Sequence, residues 1–232
     1  MTTNEQASHD SAPAVSPAIP AATVIVGRDG SRGLEVLLLR RSDIGAFAGM
    51  WVFPGGRVDA DDAGHDGLTR AASAAVREAR EEVALELDVS TLVPVSHWEP
   101  PMTAPKRFAT WFFVAPWQRD DVRVDGHEIV EHRWITPTDA LSAGVSMAPP
   151  TWVTLHHLGT HRDLSSLIAP SHRAVEHYAT RPAVTGGGAP VLLWHGDAGY
   201  DTFDAEAIGE RHRMWMDVPW RYERTGAPAA GG

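Results

Sequence analysis

Three glutamates, Glu78, Glu81 and Glu82, stand together in the run Arg77-Glu78-Ala79-Arg80-Glu81-Glu82. Each residue of an α-helix turns about 100° from the one before. Glu78 and Glu82 therefore project from neighbouring turns on one side, and Glu81 stays near them. Like charges at this spacing repel unless a cation neutralises them. Hard divalent cations such as magnesium take carboxylate oxygens, keep several waters and accept substrate phosphates as further ligands. The other reading of the run is a solvated acidic face with Arg77 and Arg80 as its partners. The turn Phe53-Pro54-Gly55-Gly56 lies ahead of the helix, after an apolar strand. Glycine lets a backbone approach a ligand closely, and a peptide carbonyl can itself bind metal. Gly56 is thus a candidate backbone metal ligand, and Gly55 a candidate wall of the substrate site.

Gly56 together with Arg77-Glu78-Ala79-Arg80-Glu81-Glu82-Val83-Ala84-Leu85 resembles the box of the Nudix hydrolase family. Asp62 stands where that box has its first glutamate, several extra residues separate Asp62 from Arg77, and Ala84 replaces a late glycine. The resemblance implies that Glu78, Glu81 and Glu82 hold Mg²⁺ or Mn²⁺, with Arg77 as the ion-pair partner that orients them. It implies an α/β fold, a mixed β-sheet sandwiched between α-helices, and hydrolysis of a diphosphate bond. A further carboxylate is expected six residues before Trp134, where Glu128 stands. Glu128 would be a metal ligand or the general base, with Glu78 as the other candidate base and Glu131 as the alternative to Glu128. A homodimer is also expected from the resemblance.

Two longer segments are similar to one branch of the family, which includes peroxisomal coenzyme A diphosphatases and their bacterial relatives. They are RRSDIGAFAGMWVFPGGRVDADD, which contains Arg41, and the later Pro149-Pro150-Thr151-Trp152. The substrate so implied is a nucleoside diphosphate linked to another moiety, with coenzyme A or acyl-CoA as one form. NADH, ADP-ribose or another nucleotide is the alternative, and a non-catalytic binding or regulatory module is a second. Arg41, Lys106 and Arg107 are candidate phosphate binders, since guanidinium matches phosphate oxygens in a bidentate way. Lys106 and Arg107 could instead protect a solvated strand edge.

These side chains need elements to hold them. Apolar residues Leu68, Ala72, Ala75, Val76, Ala79 and Val83 make a helical stripe that should pack on a sheet. Ala21–Val26 and Leu34–Leu39 read as a hairpin, and Thr110–Ala115 as a strongly apolar strand. Helices are expected from Pro137, from Pro149 to about His161, and over Leu164–His177. The glycine run 186–188 then opens a C-terminal extension with strands at Val191–Trp194 and Met214–Trp220. The expected division is a tail over 1–18, a Nudix domain over 19–165, and an extension over 166–232 that packs on the domain or on a dimer partner. Its Trp194, Trp215 and Trp220 could cap the active site, but aromatics of this kind read first as core or dimer interface. His156, His157 and His161 lack the glutamate of the HExxH zinc pattern and read as ordinary histidines.

Composition bounds the rest. Apolar content of 43% is ample for a core. A formal charge of −10 argues against a nucleic-acid backbone as partner but allows a small anion, because metal can supply local positive charge. The chain has no cysteine, so thiolate chemistry and disulfides are excluded, which fits a cytoplasmic protein. Residues 1–18 lack the basic start and apolar centre of a secretory signal, and no apolar run suits a membrane helix.

Overall fold

The computed structural model describes residues 17–45, 47–119, 121–169 and 175–226. Nearly all of the expected N-terminal tail lies outside them. Strands β1 (Ile19–Gly30) and β2 (Gly33–Arg41) form the expected hairpin, joined at Gly33, whose φ of 107° suits glycine. Then follow β3 (Trp51–Val52), β4 (Gly55–Arg57), helix α1 (Gly67–Val83), β5 (Val93–Glu99), β6 (Phe108–Pro116) and β7 (Ile129–Ile135). Helices α2 (Pro137–Ser142), α3 (Pro149–Leu158) and α4 (Leu164–Ile168) come next. Strands β8 (Glu176–Ala179), β9 (Arg181–Val184), β10 (Pro190–Leu193), β11 (His212–Trp215) and β12 (Arg221–Arg224) complete the described chain.

Among the described residues, the first sheet has the order β3-β2-β1-β6-β5-β8, with β4 added to β1 and β7 to β2. It is mixed: β1 pairs with β6, and β5 with β8, in parallel, while the other pairs are antiparallel. Strand alternation sends its side chains into two separate cores. Ala22, Val24, Val26, Leu37, Leu39, Phe113 and Ala115 meet α1 on one face. Ile25, Val36, Leu38, Phe112 and Val114 face the other way, toward residues of α3 and α4 and toward Trp194 and Met214. The sheet is thus covered by α1 on one side. On the other side the cover is shared between short helices and the second sheet, of order β12-β11-β10-β9.

Two expectations are corrected. The helix expected over Leu164–His177 stops at Ile168, and β8 from Glu176 joins the edge of the first sheet instead. An Asp163 cap and capping box start α4, whereas Tyr178 stacks on Trp98 and holds β8 to the sheet. The buried stripe of α1 is also rotated from the expected one. Ala71 and Ala74 are buried in place of Leu68 and Ala72, which are only partly covered. The same rotation carries Glu82 into the buried face. Among the described residues, no helix is long and apolar enough to cross a membrane.

Candidate active site

Helix α1 is fixed at both ends. Asp66 caps its start, accepting from Thr69 N, in a capping box with Thr69. At its end Ala84 takes the left-handed conformation, φ 57°, and Leu85 N donates to Ala79 O at 3.1 Å. The late glycine of the family box serves that conformation without a Cβ penalty, so Ala84 keeps the turn at a cost. Between these ends Glu78 and Glu82 face the glycine turn. Gly55 N donates to Glu82 Oε2 at 3.0 Å. A Cβ placed on Gly56 would lie 2.3 Å from Glu78 Oε1, so only glycine allows that carboxylate to rest on the β4 backbone.

Arg77 organises the surroundings. Its guanidinium meets Asp62 twice, Nε to Oδ1 at 3.0 Å and Nη2 to Oδ2 at 3.2 Å. Nη2 also donates to Arg57 O at 2.9 Å, and Nη1 to Glu78 Oε1 and Glu81 Oε2 at 2.9 and 3.1 Å. The shorter Asp62 therefore fills the ion-pair role at the position of the first box glutamate. Burial pushes the Asp62 carboxyl up, but the Arg77 bonds hold it below the usual range. Asp62, first among its partners, holds Arg77 firmly protonated.

Glu82 has a weaker neighbourhood. It is only 4% exposed. Burial pushes its carboxyl up to about 8 despite the Gly55 N–H, and the negative charge of Glu78 adds to the push. Burial likewise raises Glu78, against the Arg77 bond. The cation nearest Glu82 is Arg41, at 3.4 Å from Nη1, and Arg41 Nη2 also bonds Glu128 Oε2 at 2.8 Å. Among the described residues Arg41 Nε is buried without a hydrogen-bond partner.

As placed, the three glutamates are not a ready-made ligand set. Glu81 is half exposed and tied to Arg77, and among the described residues no trio of His, Asp or Glu is arranged to hold an ion. Their chemistry nonetheless fits a hard divalent cation. All the donors are oxygens, Glu82 is buried with too little positive charge, and the bare Gly56 backbone admits Glu78.

A cavity of about 890 Å³ opens beside them, large enough for a nucleotide-sized ligand. Gly55, Gly56, Glu78, Glu81, Glu82, Arg41, Glu128 and Lys106 all border it. Arg107 does not: it and Lys106 both lie just ahead of β6, and only Lys106 borders the cavity, as do the even-numbered Phe108, Thr110 and Phe112 of the strand. Arg107 O instead accepts Ile19 N at 2.7 Å. Glu131 is paired with Arg133 at 2.8 Å and does not border the cavity. The three histidines of the α3 region are not grouped as ligands. His157 bonds the Tyr178 and Tyr222 hydroxyls at 3.2 and 3.0 Å, and burial holds its pKa down to about 4.

Sequence reasoning missed part of the lining. Trp98, Thr180, Leu192 and Met216 border the same cavity. The alternation in Leu192–Trp194 and Met214–Met216 shows that one face is buried, but not against what.

The NUDIX domain family model matches residues 17–157. The chain is similar to the crystal structure of a NUDIX hydrolase from Alicyclobacillus acidocaldarius, with a TM-score of 0.62 and 24% identity over 66% of this chain and 96% of that one. It is also similar to the NUDIX domain of Shewanella oneidensis NrtR, solved with ADP ribose, with a TM-score of 0.50 and 16% identity over 63% of this chain and 90% of that one. These two likenesses concern the fold. No curated protein matches the chain. With more than half of its length matched by the family model, the chain belongs to the NUDIX family and is a pyrophosphohydrolase of nucleotide derivatives.

Proposed function

We propose that the chain hydrolyses the diphosphate bond of a nucleoside diphosphate linked to another moiety, using Mg²⁺ or Mn²⁺. The observation that carries this is Glu82, a buried carboxylate beside the glycine turn that opens on the cavity and lacks a full-strength cation partner. Glu78, Glu81 and Glu82, with the Gly56 carbonyl, would hold the metal. When bound, such a metal lowers the pKa of water and offsets charge building on phosphoryl oxygens.

The chain's own residues do the rest. Gly55 N fixes one oxygen of Glu82. Arg77 fixes Glu78 and Glu81 from one helical flank and locks α1 to β4 through Arg57 O. Arg41 and Lys106 border the cavity and suit phosphate oxygens. Two carboxylates can take the proton of the attacking water. Glu78 is favoured, because burial raises its pKa toward the working range of a general base. Glu128 is mostly exposed and held by Arg41, which suits it to positioning that guanidinium.

Coenzyme A or an acyl derivative is the first substrate to test, because of the similarity of the Arg40–Asp62 and Pro149–Trp152 segments to that branch. ADP-ribose is the second, since the similar NrtR domain binds it. The experiment is release of phosphomonoester from coenzyme A, NADH, ADP-ribose and nucleoside triphosphates with Mg²⁺ or Mn²⁺. Hydrolysis of one of them that disappears in Glu82→Gln supports the reading. Hydrolysis unchanged in that variant removes the catalytic assignment, and binding without hydrolysis favours a non-catalytic module.

A further inference from the structure

The residues bordering the cavity fall into two chemical groups. One is the charged set around the glycine turn. The other is apolar, with Trp98 and Phe112 from the first sheet and Leu192, Trp194 and Met216 from the region of the second. The last three lie beyond residue 157, where the family match ends. They are therefore a feature of this chain rather than of the shared domain.

The second sheet is built to present them. Leu192, Trp194, Met214 and Met216 alternate onto one face and join the core of the first sheet. Val191 and Leu193 alternate onto the opposite face, where Ala183, Tyr200 and Ala205 form a separate small core. Arg213 and Asp197 anchor that opposite face as a fully buried ion pair. The cavity wall is consequently packed from behind on both faces of its sheet. Trp98 stacks on Tyr178 with centroids 3.8 Å apart and planes at 2°, and Trp194 sets its ring nearly perpendicular to both.

The two indoles of the wall have their N–H groups in use. Trp98 Nε1 donates to Ser96 Oγ at 3.1 Å, and Trp194 Nε1 to Thr180 Oγ1 at 3.1 Å. Neither indole keeps an N–H for a ligand. A base edge laid against Leu192 and Met216 would leave its donors and acceptors unpaired there, which is costly, whereas a hydrocarbon chain would not. Leu192 and Met216 stay partly exposed where they border the cavity, so a chain packed on them gains burial.

We propose that this wall makes the enzyme selective for diphosphates whose second moiety carries an alkyl chain, packed against Leu192 and Met216 with the buried Trp194 behind them. This rests on the diphosphatase reading above and narrows its substrate class. The test uses full-length protein with Mn²⁺ and a series of ADP esters, adenosine diphosphate bearing a methyl, butyl or octyl group. Each is cleaved to AMP and an alkyl phosphate. Water supplies the oxygen gained at the attacked phosphorus, and the bridging oxygen leaves with the other phosphate.

The expected result is a rise in kcat/KM of roughly twofold per methylene, or about a hundredfold over the chain from methyl to octyl. Met216→Gln and, separately, Leu192→Asn lower the octyl-to-methyl ratio by about tenfold, with circular dichroism checking that each variant is folded. Cleavage of all three esters at equal kcat/KM overturns the inference and leaves the diphosphatase reading intact. Failure to cleave any ester, ADP-ribose or coenzyme A overturns both.

Discussion

Two buried carboxylates in this chain have opposite fates. Asp197 lies between β10 and β11 of the second sheet with its side chain fully covered, and Arg213 grips both of its oxygens at 2.6 and 2.7 Å. Gly199 N and His212 N add two more bonds at 2.9 Å each. Burial pushes this carboxyl up, yet Arg213 and the two N–H groups hold it below the usual range. Glu82 is almost as buried but has one N–H and a guanidinium at 3.4 Å, and it rises to about 8. A buried charge whose partners are complete is costly to unpair. One whose partners are incomplete costs stability, and it is retained where a ligand can complete them.

That contrast can be broken most severely by removing each group. Glu82→Gln should lower kcat/KM by roughly a thousandfold, about 4 kcal/mol, in a diphosphate hydrolysis assay with Mn²⁺. Asp197→Ala leaves Arg213 buried without its partner and should lose about 3–5 kcal/mol in a urea melt. The same urea melt should show no loss for Glu82→Gln in the absence of metal. Arg77→Lys removes the paired contact with Asp62 while keeping the charge, and should cost about 10–100-fold in activity.

The pH dependence sharpens the comparison. Glu82 has a folded pKa of about 8 against an ordinary 4.5, so the folded state holds the extra proton between those values. Its contribution to stability is fully present below pH 4.5 and is lost as pH rises through 8. His157 works in reverse: its folded pKa near 4 lies below the ordinary 6.5, so its contribution grows as pH rises through that interval. The Tm difference between Glu82→Gln and wild type, measured without metal, isolates Glu82 and should grow from pH 5 to pH 8 in favour of the variant. The smallest effect belongs to the helix end, where Ala84→Gly should relieve the left-handed strain and raise stability by about 1 kcal/mol.

The order of elements was legible in the sequence because β1, β2, β6 and α1 carry clear periods of apolar residues. What was not legible depends on distance along the chain. Arg107 and Lys106 look alike as neighbours, and only their placing against the cavity, just ahead of β6, separates them. The rotation of the α1 stripe toward Ala71 and Ala74 needs knowledge of the strands it lies on, and it decides that Glu82 is buried. Pairing of β8 with β5 and the placing of Leu192 and Met216 on the cavity depend on registers set across long separations. The Asp62–Arg77 pair was within reach, since Asp62 stands at the position of the first box glutamate.

The most direct test is calorimetric titration of metal-free protein with Mn²⁺ at pH 7, in buffers of different ionisation enthalpy. Glu82 is protonated below about 8, and a metal ligand must be deprotonated, so binding should release a proton in wild type. Glu82→Gln should bind Mn²⁺ far more weakly and release none. Equal Mn²⁺ affinity and equal proton release in the two proteins would contradict the assignment of Glu82 to the cation.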